Sequence, residues 1–301
     1  MKDIISPQLK LLWNGDRIKD WLNGDNISPI LIEISPTGYC NANCPWCFFK
    51  DKHESNKIDR EVMLNSIKDM AEMGVKAINW TGGGEPSLHP NFDEFVKLAD
   101  ELGLEQGIFT NGYLQLKTEK LFKWIRISIT PKGIEGIVKP NVPFGINVNL
   151  TEDTELDKLC RQAKEFGASY FQVRPALEDN YKDQPKIEIP TYLKKYETKD
   201  FKVYLTPYKF NESTKPKTYG KCYGHNFCPS IDWNGKLSIC LYRTLEKKYN
   251  LGDLKDGFKK VWENRVIPKD LVNDKCQNCC KNHEINKVLF GAKNVNDINF
   301  L

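Results

Sequence analysis

The run ILIEISPTGYCNANCPWCFF, residues 30–49, decides how the rest of this chain is read. Residues 30–35 are a short apolar run rich in isoleucine and read as a β-strand. Cys40, Cys44 and Cys47 follow at C-x3-C-x2-C spacing, at the carboxyl end of that strand. Three thiolates this close can wrap one loop around an iron–sulfur cube, for which cysteine is the usual ligand. The loop holds no fourth cysteine, so one corner of such a cube would stay open. A structural zinc site is the alternative, but it needs four closed ligands, and His53 is poorly spaced to be the fourth.

Working outward, AINWT (77–81), QGIFT (106–110), WIRISIT (124–130), FGINVNL (144–150) and SYFQVRP (169–175) read as five further strands. Amphipathic helices are expected over 61–74, 91–103 and 154–167, ending at Gly74, Gly103 and Gly167, the residue type a left-handed C-cap favours. Strands alternating with helices imply parallel βαβ units with right-handed crossovers. The predicted fold is α/β, a six-stranded parallel (β/α)6 partial barrel over residues 30–175, with its site at the carboxyl ends of the strands.

Residues 1–29 form an amino-terminal extension with one amphipathic helix, LLWNGDRIKDWL (11–22), expected to pack on the barrel. Residues 176–301 form a small α+β extension expected to cover the substrate. It holds the short β-like run FKVYLTPYKF and a hairpin, SIDWNGKLSICLY (230–242), turning in two residues at Asn234-Gly235. A helix over 253–264 follows. The Lys- and Tyr-rich stretch 192–221 can attract an anion but reads better as solvated surface.

At 301 residues, with 40% hydrophobic and 28% charged side chains, the chain is neither disordered nor collagen-like. A net charge of +4 demands neither nucleic acid nor a membrane surface as partner. No apolar run reaches the ~18 residues of a membrane span, and the charged amino end does not read as a secretory signal. A cytoplasmic protein is expected. In that compartment ten cysteines read as metal ligands or redox groups rather than disulfides. Cys160, alone in a helical stretch, reads as a small buried apolar residue.

The loop YCNANCPWCFF resembles the CxxxCxΦC signature of the radical S-adenosylmethionine (radical SAM) superfamily, with Trp46 at the aromatic position. TGGGEP (81–86) resembles its Gly-Gly-Glu motif through Gly83, Gly84 and Glu85. The resemblance covers about residues 30–175. It implies a 4Fe–4S cluster on Cys40, Cys44 and Cys47, whose open iron chelates the methionine end of S-adenosylmethionine. Gly83 and Gly84 would let the backbone approach the methionine amino group, and Glu85 would accept a bond from it. Asn111, Ser128, Asn147 and Arg174, at strand ends, are the further cofactor contacts it implies, against a plain structural role for each. It also implies reductive cleavage to a 5′-deoxyadenosyl radical that takes hydrogen from a substrate C–H, and an electron donor such as flavodoxin or ferredoxin.

Gly235-x4-Cys240 resembles the opening of the SPASM/Twitch extensions of such enzymes. Ile285 stands where a full SPASM pattern continues with cysteine, so the shorter Twitch type is expected. It implies one auxiliary 4Fe–4S cluster on Cys222, Cys240, Cys276 and Cys279. Cys228 and Cys280 are spare thiols. Cys228 reads as a ligand, a hydrogen donor or a bystander, and His225 and His283 are weaker substitutes for a cysteine. A zinc ribbon is the alternative for these pairs. The expected activity is oxidation of a small molecule (sugar, cyclitol or nucleotide), the auxiliary cluster accepting an electron or anchoring substrate. Only 29 residues precede the first strand, too few for the usual peptide-recognition domain. The rivals are a peptide-modifying maturase, with oxidation, crosslinking or epimerisation as its outcome, and a non-catalytic zinc-binding interaction protein.

Overall fold

The computed structural model describes residues 7–177, 183–212, 219–268 and 282–295. Seven strands run parallel in chain order: β1 (Leu31–Ile34), β2 (Ala77–Trp80), β3 (Glu105–Thr110), β4 (Trp124–Ser128), β5 (Phe144–Leu150), β6 (Tyr170–Pro175) and β7 (Lys202–Leu205). On the far side of β1 the same sheet continues through β8 (Ser230–Ile231), parallel to β1, then β9 (Lys236–Ser238) and β10 (Asn250–Asp253), both antiparallel to their neighbours. The six expected strands are present. FKVYLTPYKF adds a seventh, paired with β6 from Tyr170↔Lys202 to Val173↔Leu205, so the parallel array is longer than expected, and its end turns into the short helix α6 (Pro207–Glu212).

Strand side chains alternate between two environments. One face carries Ile32, Ile34, Ile78, Trp80, Ile108, Ile125, Ile127, Ile146, Val148, Phe171 and Val173, all buried against helices. Those helices are α3 (Arg60–Glu72), α4 (Phe92–Glu101) and α5 (Leu156–Glu165). In α3 the buried Met63, Ile67 and Met70 recur at helical spacing, and the Asp59 side chain accepts from Val62 N at 3.1 Å to cap its start. Gly74, Gly103 and Gly167 all take positive φ where the helices end, as expected. Cys160 is fully buried on α5, also as expected.

Three expectations about local structure change. The amino-terminal helix is two, α1 (Pro7–Leu12) and α2 (Gly15–Asn23), because Asn14 leaves helical geometry and its side chain donates to Lys10 O at 3.2 Å. The expected helix over 253–264 breaks at Gly257 (φ +89°), leaving a 3-10 turn and α7 (Phe258–Glu263). The hairpin loop holds three residues, Trp233–Gly235, not two. Asp232 Oδ1 accepts from Asn234 N at 2.8 Å and Lys236 N at 3.0 Å, which curls the chain until Gly235 (φ +72°) returns it.

Leu11, Trp21 and Ile27 form a second apolar cluster with Phe227 and with Leu289 of α8 (His283–Lys293). Arg17 ties this layer to the barrel by donating to Ser28 O, Pro29 O and Gly74 O. Among the described residues no helix is long and apolar enough to cross a membrane.

Candidate active site at the strand carboxyl ends

The chain leaves β1 at Ser35 and makes a closed excursion. Thr37 bridges Lys57, Gly38 N donates to Asn56 O, and Ile58 N to Pro36 O. Cys40, Cys44 and Cys47 sit on this excursion, and Cys47 N turns back to Cys44 O at 3.0 Å. All three thiols line a cavity of about 1030 Å³ that runs along the inner face of the sheet, from the loops after β1 and β2 to the amino ends of the strands. Burial pushes the Cys44 thiol up to about 12, with Cys47 and Cys40 adding like charge; burial also raises Cys40 and Cys47. Three thiolates can therefore share this loop only with a cation among them, which is the donor chemistry an iron–sulfur cluster requires. His53 Nε2 lies 3.9 Å from Cys47 Sγ while its Nδ1 meets Gly38 O at 3.2 Å, so it braces the loop.

The loop after β2 packs directly on the cysteine excursion. Gly84 N donates to Thr37 O and Glu85 N to Tyr39 O, both at 2.9 Å. A Cβ on Gly84 would stand 1.9 Å from Tyr39 O, and one on Gly83 would stand 1.8 Å from the Trp233 ring. Both glycines are therefore demanded by protein neighbours, a reason independent of any cofactor. Trp233 is fully buried at the hairpin tip. Its indole also lies against Gly38 and Phe49, and its Nε1 donates to Glu54 Oε2 at 2.9 Å. One side chain thus wedges both loops. Sequence reasoning missed it, and a tryptophan at a tight hairpin tip was the only signal.

Glu85 is buried, and its carboxylate is already bonded within the protein. Oε1 accepts from Ser87 Oγ and Thr110 Oγ1, each at 2.7 Å, and Oε2 from Asn111 N at 2.7 Å. Burial pushes its pKa up while these donors pull it back. Asn111 donates to Asn41 Oδ1 at 2.7 Å and accepts from Tyr113 N, joining the end of β3 to the cysteine excursion.

Trp46, Gly83, Gly84, Glu85, Asn111, Ser128, Arg174 and Cys228 all line the same cavity as the three cysteines. Asn147 lies in register between Ser128 and Gln172, 1% exposed, with neither amide atom bonded. The wall also holds Arg126, which sequence reasoning passed over although WIRIS alternation put it on the polar face of β4.

Away from the mouth, the β8–β9 register pairs Ser230 with Ser238. Cys228 and Cys240 each lie two residues beyond that pair, both buried. Burial pushes the Cys228 thiol up to about 12. Cys222 Sγ accepts from Asn286 Nδ2 at 3.4 Å. Buried His225 is pushed down to about 3 by burial and by Arg265, so it is neutral. Cys276, Cys279 and Cys280 lie outside the described residues.

A parallel part-barrel presenting three loop cysteines and a Gly-Gly-Glu turn at the carboxyl ends of its strands offers the donor types of a cluster-binding barrel. Residues 34–174 match the family model of the Radical SAM superfamily, and the chain carries a radical SAM domain there. The chain is 28% identical over 300 residues to a GTP 3′,8-cyclase of Campylobacter fetus, covering 82% of this chain and 91% of the relative. It is 30% identical over 119 residues to an S-adenosylmethionine-dependent nucleotide dehydratase of Flammeovirga pacifica, 36% of this chain and 40% of that one. Among solved structures, Streptococcus suis SuiB bound to S-adenosylmethionine superposes with a TM-score of 0.59 at 18% identity, covering 84% of this chain and 70% of that one. That likeness is one of fold.

Proposed function

We propose that this chain is a radical SAM enzyme that acts on a small molecule, with a nucleotide the favoured class among sugars, cyclitols and nucleotides. The supporting observation is that Cys40, Cys44 and Cys47 open onto the cavity walled by the polar inner face of the barrel. The similarity to a GTP 3′,8-cyclase extends along most of both chains, which favours the nucleotide. When bound, a 4Fe–4S cluster on these thiols supplies the electron that cleaves S-adenosylmethionine and so starts C–H chemistry.

The protein's part is placement and exclusion. The Trp233 wedge fixes the cysteine and glycine loops against each other, and Glu85 locks the glycine loop to the end of β3. Trp46 and the two loops line the cavity, where their part is to limit the access of water to a reactive intermediate. Ser128, Asn147 and Arg174 present polar groups from successive strands. Cys222, Cys240, Cys276 and Cys279 are the ligand set for one auxiliary cluster that accepts an electron or anchors substrate, with Cys228 a spare thiol at the start of the same hairpin. A flavodoxin or ferredoxin delivers the starting electron.

The test is anaerobic purification followed by iron and sulfide counting, then Cys40→Ala/Cys44→Ala/Cys47→Ala. The native protein is expected to be brown, with about four irons per cluster. The triple variant is expected to keep the auxiliary iron and lose cleavage of S-adenosylmethionine to background. A colourless zinc protein, or full cleavage by the variant, refutes the assignment.

A further inference from the structure

The inner face of β3–β6 carries two arginines whose surroundings make no sense for structural cations. Gly107 and Gly145 leave room for rings from the next strands: a Cβ at Gly107 would lie 2.1 Å from Trp124 and one at Gly145 1.9 Å from Tyr170. These rings and Phe109 enclose the Arg126 guanidinium, at 5.0 Å from Phe109, 5.0 Å from Trp124 and 5.6 Å from Tyr170. Arg174 lies 5.7 Å from the same Phe109 ring. Two positive groups thus flank one aromatic side chain.

Among the described residues neither has an acidic partner. The arginine ion pairs of the described residues are those of Arg60 and Arg243. Each inner arginine makes one hydrogen bond, through Nε: Arg126 to Tyr170 Oη at 3.1 Å, and Arg174 to Asn149 Oδ1 at 2.7 Å. Their terminal nitrogens, the pair that grips an oxyanion in two-pronged fashion, carry no such bond. Between them in register lie Asn147 and Gln172, 1% and 4% exposed. Both amide atoms of Asn147 and Oε1 of Gln172 lack partners. Buried amides are normally bonded, so these await a ligand.

We infer that Arg126 and Arg174 bind the phosphate of a phosphorylated substrate inside the barrel, with Asn147 and Gln172 bonding its adjoining polar groups. This rests on the proposed function for its reaction but makes a separate claim about substrate chemistry. Phosphate is favoured over a carboxylate because two separate guanidinium forks face one cavity, and a phosphate chain offers oxygens to both. The aromatic walls hold the forks in place before the ligand arrives and exclude water around the charges.

The test uses the anaerobically prepared holoenzyme with GTP, guanosine and inorganic triphosphate as probes. Equilibrium dialysis is expected to show GTP binding far tighter than guanosine, displacement of GTP by triphosphate, and weakening as salt rises. Arg126→Gln is expected to lower GTP affinity by roughly 30-fold or more, as truncation of one partner of a buried charge contact does. Arg126→Lys is expected to recover part of it. Affinity for S-adenosylmethionine, and its cleavage without substrate, are expected to stay within about twofold in both variants, while loss of these in the native protein would mark failure of the proposed function instead. Equal binding of guanosine and GTP, or no displacement by triphosphate, overturns the inference. So does an Arg126→Gln variant that weakens S-adenosylmethionine and spares GTP, because the arginine would then serve the cofactor's carboxylate.

Discussion

The two faces of one sheet differ more than any two segments of the chain. Toward α3, α4 and α5 the strands present isoleucine, valine, phenylalanine and tryptophan at 0–2% exposure. Toward the cavity the same strands present Glu33, Asn79, Arg126, Gln172 and Arg174, interleaved residue by residue, with Asn147 in register beside Gln172 on that face. Burial on the first face supplies the folding energy, at about 25 cal/mol per Å² of apolar surface removed from water. On the second face the burial of polar groups opposes folding unless a ligand repays it. The lesson is that stability and recognition here are divided by strand periodicity and not by domain.

Three substitutions break or sharpen that contrast. Phe171→Ala empties a fully buried site on the helix-facing side and is expected to cost about 3–5 kcal/mol. Chemical denaturation measures it, and a loss below about 1 kcal/mol would erase the distinction between faces. Gly84→Ala lies on the border, where a Cβ meets the Tyr39 backbone. A cost of about 1–3 kcal/mol is expected from overpacking, with lower affinity for S-adenosylmethionine as the loops part. If affinity drops at unchanged stability, the glycine serves the cofactor directly. Asn147→Leu sits on the cavity side and removes two unbonded amide atoms, so stability is expected to stay level or rise by about 1 kcal/mol. Thermal melts of ligand-free protein check this, and a loss of about 2 kcal/mol would show that the amide is bonded in solution.

Much of this arrangement was legible in the sequence because it is local. Strand runs such as FGINVNL, the glycine helix ends and the C-x3-C-x2-C loop each carry their signal within about ten residues. What escaped was either tertiary or a competition between neighbouring signals. β7 sits in a run whose lysines and tyrosines mask its alternation, and pairing with β6 selects it. The helix expected over 253–264 lost to Gly257, and the two-residue turn lost to the Asp232 side chain. Gly83 and Gly84 invite a cofactor reading because the partners that require them, Trp233 and Tyr39, are distant in sequence or reached only by a fold-back. Arg126 was hidden by the opposite cause: its strand was read for apolar residues, and the charge on the alternate face was the message.

The Trp233 wedge also has a meaning in time. Ribosomes release the cysteine excursion and the glycine turn long before the indole that separates them. A nascent chain halted ahead of the hairpin has all three thiols of the barrel mouth but no spacer to set their loops. Stalled chains ending at Phe227 are therefore expected to hold iron less firmly than finished ones, which iron counting on the two forms would check. The order in which the polypeptide is made thus puts the wedge after both loops it holds apart.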